Sequence, residues 1–355
     1  MGAPYLSQLI EQGRSALLAR YGHHLTAHQR RALDAMARCR TGALGATVMA
    51  CDHCSHKDVR LRSCGHRSCP RCQQHAATDW LERQRAKLLP AEYFMVTFTL
   101  PSALRGLAYK QSHAVYDLLF RTAMDTLRTF GKRHPELEAA LAGTAVLHTH
   151  NRQLDYHPHL HVIVPGAGVD GQHCWRKLSG QYLFNGRAVG KVFRARFIEG
   201  LKRLGFELPP KCPSRWVVQC KHVGKGLPAL KYLSRYLYRG VIAEKQIVAF
   251  NGDAQTVTFR YQHNKTRQQL LRTLPLVEFL WRLMIHVLPS GYRRVRDFGF
   301  LHGNARRTRN QIQIALRVVI PESPPRMALS FLCVKCAQAM RVIGELPTLL
   351  PRPAT

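Results

Sequence analysis

The chain has 355 residues, enough for two or three domains with ample core. Its 53 Lys and Arg against 21 Asp and Glu give a net charge of +32, which excludes an acidic, solvating chain and calls for a polyanionic partner, nucleic acid first. No uncharged apolar run reaches the ~18 residues of a membrane span, and the start Met1 to Leu6 has no signal-peptide or myristoylation profile, so the expected compartment is the cytosol, with no membrane partner.

In chain order, residues 4–38 read as helical, with Leu6, Leu9, Ile10, Leu17 and Leu18 interleaved with Arg and Gln. Residues 47–73 are rich in cysteine and poor in periodicity. A helix is predicted at 74–89, broken by Pro90, then a strand from Tyr93 to Leu100 ended by Pro101. An amphipathic helix fills 108–131. Strands follow near 144–150 and 158–164, a Gly-rich loop at 165–190, a helix near 191–204 and a strand near 215–220. Residues 227–240 form a further helix, with Pro228 in its first turn and Gly240 as its stop. A hairpin at 248–250 and 257–261 closes through Asn251-Gly252-Asp253. A helix runs from 275 to about Val287, followed by a basic, less regular segment and a Pro-rich tail. This order predicts an α+β fold around one antiparallel sheet with flanking helices, RRM-like in layout.

In a cytosolic chain, the 11 cysteines are expected as metal ligands or free thiols. Cys51-x2-Cys54 and Cys69-x2-Cys72 have the spacing of two knuckles of a tetrahedral structural zinc site, so these four are the expected ligands. Cys64 or His66 can replace one of them. Arg60, Arg62, Arg67 and Arg71 lie in or beside the loops, within reach of phosphates. Cys333-x2-Cys336 is half a site, which needs a partner pair in space or is two buried thiols. No His-x-Glu precedes the Cys51 to Cys72 cysteines, as the zinc-deaminase pattern requires, and the protease His-Glu-x2-His and the phosphate-binding P-loop are missing from the sequence.

The run His157-Pro158-His159-Leu160-His161-Val162-Ile163-Val164 carries the chemistry. Strand alternation puts His159 and His161 on one face, about 7 Å apart along the strand, and Leu160, Val162 and Val164 on the other. Two imidazoles so placed can converge on one metal ion. By itself the pattern also fits a strand with surface histidines. In the helix at 227–240, Leu230, Leu233 and Leu237 form one apolar stripe. Tyr232 and Tyr236, at i and i+4, project from another face, next to Arg235 and Arg239. Paired hydroxyls with cationic support suit attack on a phosphate.

Taken together, these segments resemble the zinc-containing transposases of rolling-circle insertion sequences, the IS91 group of the two-tyrosine HUH class. The resemblance is carried by Cys39-Arg40-Thr41-Gly42-Ala43-Leu44-Gly45, by Ser63-Cys64 and Cys69-Pro70-Arg71-Cys72-Gln73, and by Phe98-Thr99-Leu100-Pro101. It continues through His148-Thr149, the His157 to His161 run, Lys231-Tyr232-Leu233-Ser234-Arg235-Tyr236, and Arg293-Arg294-Val295-Arg296 with Gly299-Phe300-Leu301. It implies a bacterial, nucleoid-associated enzyme that nicks single-stranded DNA at insertion-sequence ends and joins it to target DNA through a covalent 5′-phosphotyrosine. Tyr232 and Tyr236 would be the nucleophiles, and His159 and His161 would hold Mg²⁺ or Mn²⁺. His148 is the expected third ligand and His157 the next candidate. Arg235, Arg239, Arg293, Arg294 and Arg296 would bind DNA, and structural Zn²⁺ would sit at the knuckles. The implied segmentation is 1–46 helical, 47–89 zinc-binding with a linking helix, 90–265 catalytic, and 266–355 basic and DNA-binding. A non-catalytic zinc regulator would share the charge and the knuckles but has no need of the histidine strand or the paired tyrosines. An HUH replication initiator or relaxase would share the catalytic residues but usually lacks the N-terminal zinc module.

Overall fold

The computed structural model describes residues 5–72, 74–238, 241–263, 266–320 and 331–348. The chain forms two compact units, neither of them a single stretch of sequence. One combines residues 1–75, 238–287 and 322–355; the other combines 76–237 and 288–321. This corrects the linear segmentation expected from the sequence. The segment 266–355 is shared out in three pieces, because its helix, its basic strand and its final strands each pair with a different part of the chain.

The second unit is built on a five-stranded antiparallel sheet in the order Val295–Phe298, Gly143–His150, Tyr156–Pro165, Tyr93–Thr99, Val218–His222. Alternation gives the sheet two chemically different faces. Phe94, Val96, Phe98, Ala145, Leu147, Leu160, Val162 and Val164 point to one face. There they join the helices Ser112–Lys132 and Gly186–Arg203 in one buried cluster, through residues such as Leu119, Phe120, Phe193 and Phe197. The opposite face carries the histidines. The α+β class and the antiparallel sheet follow the reading from sequence. The helix at 186–203 starts earlier than its apolar period suggested because Asn185 caps it, its side chain accepting from the N–H groups of Arg187 and Ala188.

The strand Val295–Phe298 was hidden in the basic segment. Its register is Val295 opposite Val146 and Arg296 opposite Ala145. Four charges within five residues, Arg293, Arg294, Arg296 and Asp297, masked its alternation. The expected Gly-rich loop contains two short strands, Ala167–Val169 and Trp175–Lys177, paired in a small sheet with Ala140–Leu141.

The first unit packs the helices Leu6–Tyr21 and Ala27–Ala37 with Leu276–Met284. Tyr21 stacks on Trp281 at 4.6 Å, and the Gln29 amide donates to the Met284 carbonyl at 2.9 Å. The expected hairpin is there, extended to three strands by Gln269–Pro275. A second sheet in this unit runs Phe331–Leu332, Ala339–Leu346, Ala46–Cys51, Lys57–Leu61. It joins the cysteine-rich stretch to the tail, two regions where the sequence showed no strand period.

Candidate metal and tyrosine site

Cross-strand register assembles the histidines. His148 lies directly opposite His159, and Val146 opposite His161, so His148 shares their face of the sheet. The ligand atoms of His148, His159 and His161 all lie within 4.8 Å of one another. Their ring centroids are 4.6 to 5.2 Å apart. His157, the other candidate, is held elsewhere: its Nδ1 accepts from the Arg105 guanidinium at 3.1 Å.

Two of the three rings are oriented through Nδ1. In His159, Nδ1–H donates to the carbonyl of His157 at 2.6 Å, which leaves the Nε2 lone pair available. The Nδ1 of His161 is bonded to the Thr97 hydroxyl at 2.9 Å, and Thr97 sits opposite it in register. Thr97 is a site residue that sequence reasoning missed; only the pairing of the two strands discloses it. Outer partners of this kind fix ring orientation at metal sites.

Burial holds all three imidazoles in the neutral form. It pushes His159 down to about 4 and His161 to about 3, the His161 shift aided by His159, and it drives His148 well below the usual range. Neutral imidazole is the metal-binding form. This has a consequence for stability. In the unfolded chain these rings take up protons near pH 6.5, whereas the folded state does not until pH falls to about 4. Without added divalent metal, the urea midpoint of this unit should therefore fall as pH drops from about 6.5 to 5, and His159→Gln should flatten part of that slope. Equal slopes for wild type and variant would contradict the buried, neutral state of His159.

The helix Leu227–Tyr238 supplies the tyrosine. Leu230, Leu233 and Leu237 are buried, as the apolar stripe predicts, and Tyr232 faces the histidines. Its ring centroid is 6.3 Å from that of His161, at an interplanar angle of 86°. Gly226 sets the helix start. It has φ +87°, and a Cβ there would stand 2.8 Å from the Tyr93 ring. Arg294 fixes the other end, donating to the Leu237 carbonyl at 3.1 Å, a favourable place for a cation. The side chains of Tyr236 and Arg235, and the whole of Arg239, lie outside the described residues.

The basic strand does not present all its arginines to a ligand. Arg293 is exposed. Arg296 points to the helix-covered face, paired with Asp117 and stacked over Phe120 at 4.3 Å. That corrects its expected role: odd and even positions of a strand face opposite ways, and position 296 falls on the core side. In the cysteine-rich region Arg60 pairs with Asp58, Arg62 with Glu345 and Arg71 with Glu244.

The cysteines also sort differently from the expected single site of Cys51, Cys54, Cys69 and Cys72. Cys69 and Cys72 converge with Cys39 and Cys64, and Cys51 and Cys54 converge with Cys333 and Cys336. In the first group the Cys39–Cys72, Cys64–Cys72 and Cys39–Cys69 Sγ separations are 3.5, 3.6 and 3.7 Å. Four sulfurs at about 2.3 Å from a tetrahedral zinc would be about 3.8 Å apart. The donor set and its spacing thus fit zinc. Cys64, held as an alternate, belongs to this group. Cys39 was missed as a member of this group, although it stands two residues past the helix Ala27–Ala37, in the segment that carried the family resemblance. His66 is outside the group, its Nδ1 accepting from the Ser68 N–H at 3.1 Å.

An antiparallel sheet thus carries a histidine trio beside a tyrosine helix, and two cysteine clusters complete the candidate metal-binding groups among the described residues. Comparison with known proteins identifies the family. Residues 143–309 match the family described as "Putative transposase", and residues 9–100 match "Transposase zinc-binding domain". The chain is 37% identical over 313 residues to the putative transposase y4qJ of Sinorhizobium fredii, covering 81% of this chain and 78% of that one. It is 29% identical over 343 residues to the transposase for insertion sequence element IS801 of Pseudomonas savastanoi pv. phaseolicola, covering 86% and 81%. A conjugative relaxase, TrwC in complex with oriT DNA, aligns with a TM-score of 0.29 at 14% identity, over 64% of this chain and 74% of that one. The chain belongs to the IS91 family of transposases. Among the described residues, no helix is long and apolar enough to cross a membrane.

Proposed function

We propose that the protein nicks single-stranded DNA at insertion-sequence ends through a covalent 5′-phosphotyrosine, with Tyr232 as the first nucleophile. The observation that carries this reading is the placement of Tyr232 beside the His148, His159 and His161 trio.

The Tyr232 oxygen attacks the scissile phosphorus. A bond forms between that oxygen and the phosphorus on the 5′ side, and the bond to the 3′ oxygen breaks. The tyrosine loses its proton, and the departing 3′ oxygen takes one up. One phosphodiester replaces another, so little energy is lost and the strand can be rejoined to a new end. A tyrosine with a pKa near 10 is a weak nucleophile at neutral pH, so the phosphate must be activated. His148, His159 and His161 would hold a divalent ion, Mg²⁺ or Mn²⁺ with imidazoles favouring Mn²⁺, which would supply Lewis-acid stabilisation of the charge on the phosphate oxygens. His159 and His161 hold fixed orientations for that purpose. Tyr236, one helical turn on, serves a second strand transfer while the first linkage persists.

The strongly basic chain supports binding of the DNA backbone, with exposed Arg293 and with Arg235 on the tyrosine helix as contacts. Cys39, Cys64, Cys69 and Cys72 hold a structural Zn²⁺ within the zinc-binding domain. The protein acts in the bacterial cytoplasm on insertion-sequence ends and on target DNA.

The test is incubation of the full chain with single-stranded oligonucleotides from the element's ends, followed by mass mapping of the protein–DNA adduct. An adduct on the peptide containing Tyr232 supports the reading; an adduct on another residue, or cleavage without any adduct, overturns it. Thr97→Val should weaken divalent metal binding roughly 10- to 100-fold by releasing the His161 ring, with Thr97→Ser restoring it. Titration calorimetry reads this directly, and an unchanged affinity in the valine variant would remove Thr97 from the site.

A further inference from the structure

The group formed by Cys51, Cys54, Cys333 and Cys336 is built from two copies of one local structure. In the first, the Cys51 N–H donates to the His56 carbonyl at 2.9 Å, and the Ser55 N–H to the Cys51 carbonyl at 2.9 Å. In the second, the Cys333 N–H donates to the Gln338 carbonyl at 2.8 Å, and the Ala337 N–H to the Cys333 carbonyl at 2.9 Å. Ser55 and Ala337 stand at equivalent positions, one residue past the second cysteine. They share a left-handed backbone, φ +56° and +57°, which neither residue type favours. In each turn the backbone N–H groups two and three residues after the first cysteine point at its sulfur: His53 and Cys54 towards Cys51, Lys335 and Cys336 towards Cys333. N–H groups aimed at sulfur favour a thiolate over a thiol.

The two turns face each other. Cys51 and Cys336 sulfurs are 3.4 Å apart, Cys54 and Cys333 3.5 Å, and all four lie within 4.8 Å. None is in a disulfide. The strands behind them pair antiparallel, from Ala46 opposite Leu346 to Cys51 opposite Met340.

This sheet has almost no apolar interior. The buried cluster beneath the turns comprises Met49, Cys51, Cys333 and Met340, while Leu332, Val342 and Ile343 are exposed. A sheet with so small a core needs another source of cohesion, and small modules of this kind draw it from disulfides or a metal.

We propose that Cys51, Cys54, Cys333 and Cys336 bind a second structural zinc ion in a ribbon shared between the two ends of the chain. The family match for zinc binding ends at residue 100, so half of this site lies outside it. The C-terminal segment is then a part of the N-terminal zinc module rather than a tail. Cys54 and Cys333 are separated by 279 positions, so the ion closes a loop comprising most of the protein. The site stands independently of the nicking chemistry.

The experiment is zinc counting by native mass spectrometry on the full chain, with every cysteine variant and its wild-type-cysteine control built on His159→Ala/His161→Ala so that the histidine trio adds no zinc. The control should carry two zinc ions, and the double variant Cys333→Ser/Cys336→Ser should carry one, with the remaining ion reporting that the other site is still folded. Cys39→Ser should also carry one. Two ions retained in the Cys333/Cys336 variant, or one ion in the zinc-replete control, overturn the proposal. If the double-serine variant loses all zinc, Cys336→His decides. It keeps a tetrahedral ligand set, so two ions, with the cobalt-substituted spectrum showing one nitrogen ligand, sustain the site, and a single ion rejects it.

Discussion

Tyr232→Phe should lower the rate of first-strand cleavage by about 10³-fold or more, with single-stranded DNA binding unchanged. The phenyl ring keeps the packing against His161 and removes only the attacking oxygen, so the variant isolates chemistry from fold. Tyr236→Phe should leave the first cleavage near wild type and block the second transfer. The double variant should form no adduct with DNA at all. Single-turnover cleavage with a 5′-labelled and a 3′-labelled strand separates these steps. Equal first-cleavage rates in wild type and Tyr232→Phe would remove Tyr232 from the role of first nucleophile.

A comparable loss is expected at the metal. His161→Ala should reduce cleavage by roughly 10²- to 10⁴-fold, the rate equivalent of several kcal/mol of charge stabilisation at the phosphate. EDTA should reduce wild-type cleavage to a similar level and have little further effect on the variant. His157→Ala is the control: its imidazole is engaged with Arg105, outside the trio, so cleavage should stay within a few-fold of wild type. If His157→Ala fell as far as His161→Ala, the trio would be wrongly composed. If cleavage by wild type persisted in EDTA, the metal role itself would fail. DNA binding should survive in both variants, since it rests on the basic charge and not on the histidines.

Much of the candidate site's face was legible in the chain. His159 and His161 are two residues apart in a strand, and Tyr232 projects from a helix whose leucines mark the buried side. Each follows from a period of about 2 or 3.6 residues, which is a local property of backbone geometry. Residues further apart were harder. His148 needed the pairing of its strand with the histidine strand, which the order of elements suggested but did not align. Thr97 carried no signal at all, because a threonine in a strand is common and only its register opposite His161 gives it a task.

The cysteines show the same limit more sharply. Spacing announced knuckles correctly, because a C-x2-C turn is made by its own backbone hydrogen bonds. Spacing does not say which knuckle faces which. Sequence proximity favoured joining Cys51 and Cys54 to Cys69 and Cys72, yet the pairing of Ala46–Cys51 with Ala339–Leu346 carries Cys51 and Cys54 to the far end of the chain. Arg296 was read as a DNA contact from its charge and its basic neighbours, and strand alternation turns it towards Asp117.

By itself, then, the sequence determined the chemical inventory: a basic chain, a histidine strand, a tyrosine helix, and cysteines in knuckles. Composition and short periods are set residue by residue, and folding does not alter them. Only the tertiary structure decided how that inventory is partitioned: which histidine completes the trio, which arginine braces the tyrosine helix, and which cysteines converge. Those choices depend on strand register and on contacts across hundreds of residues, where a shift of one position turns every side chain to the opposite face.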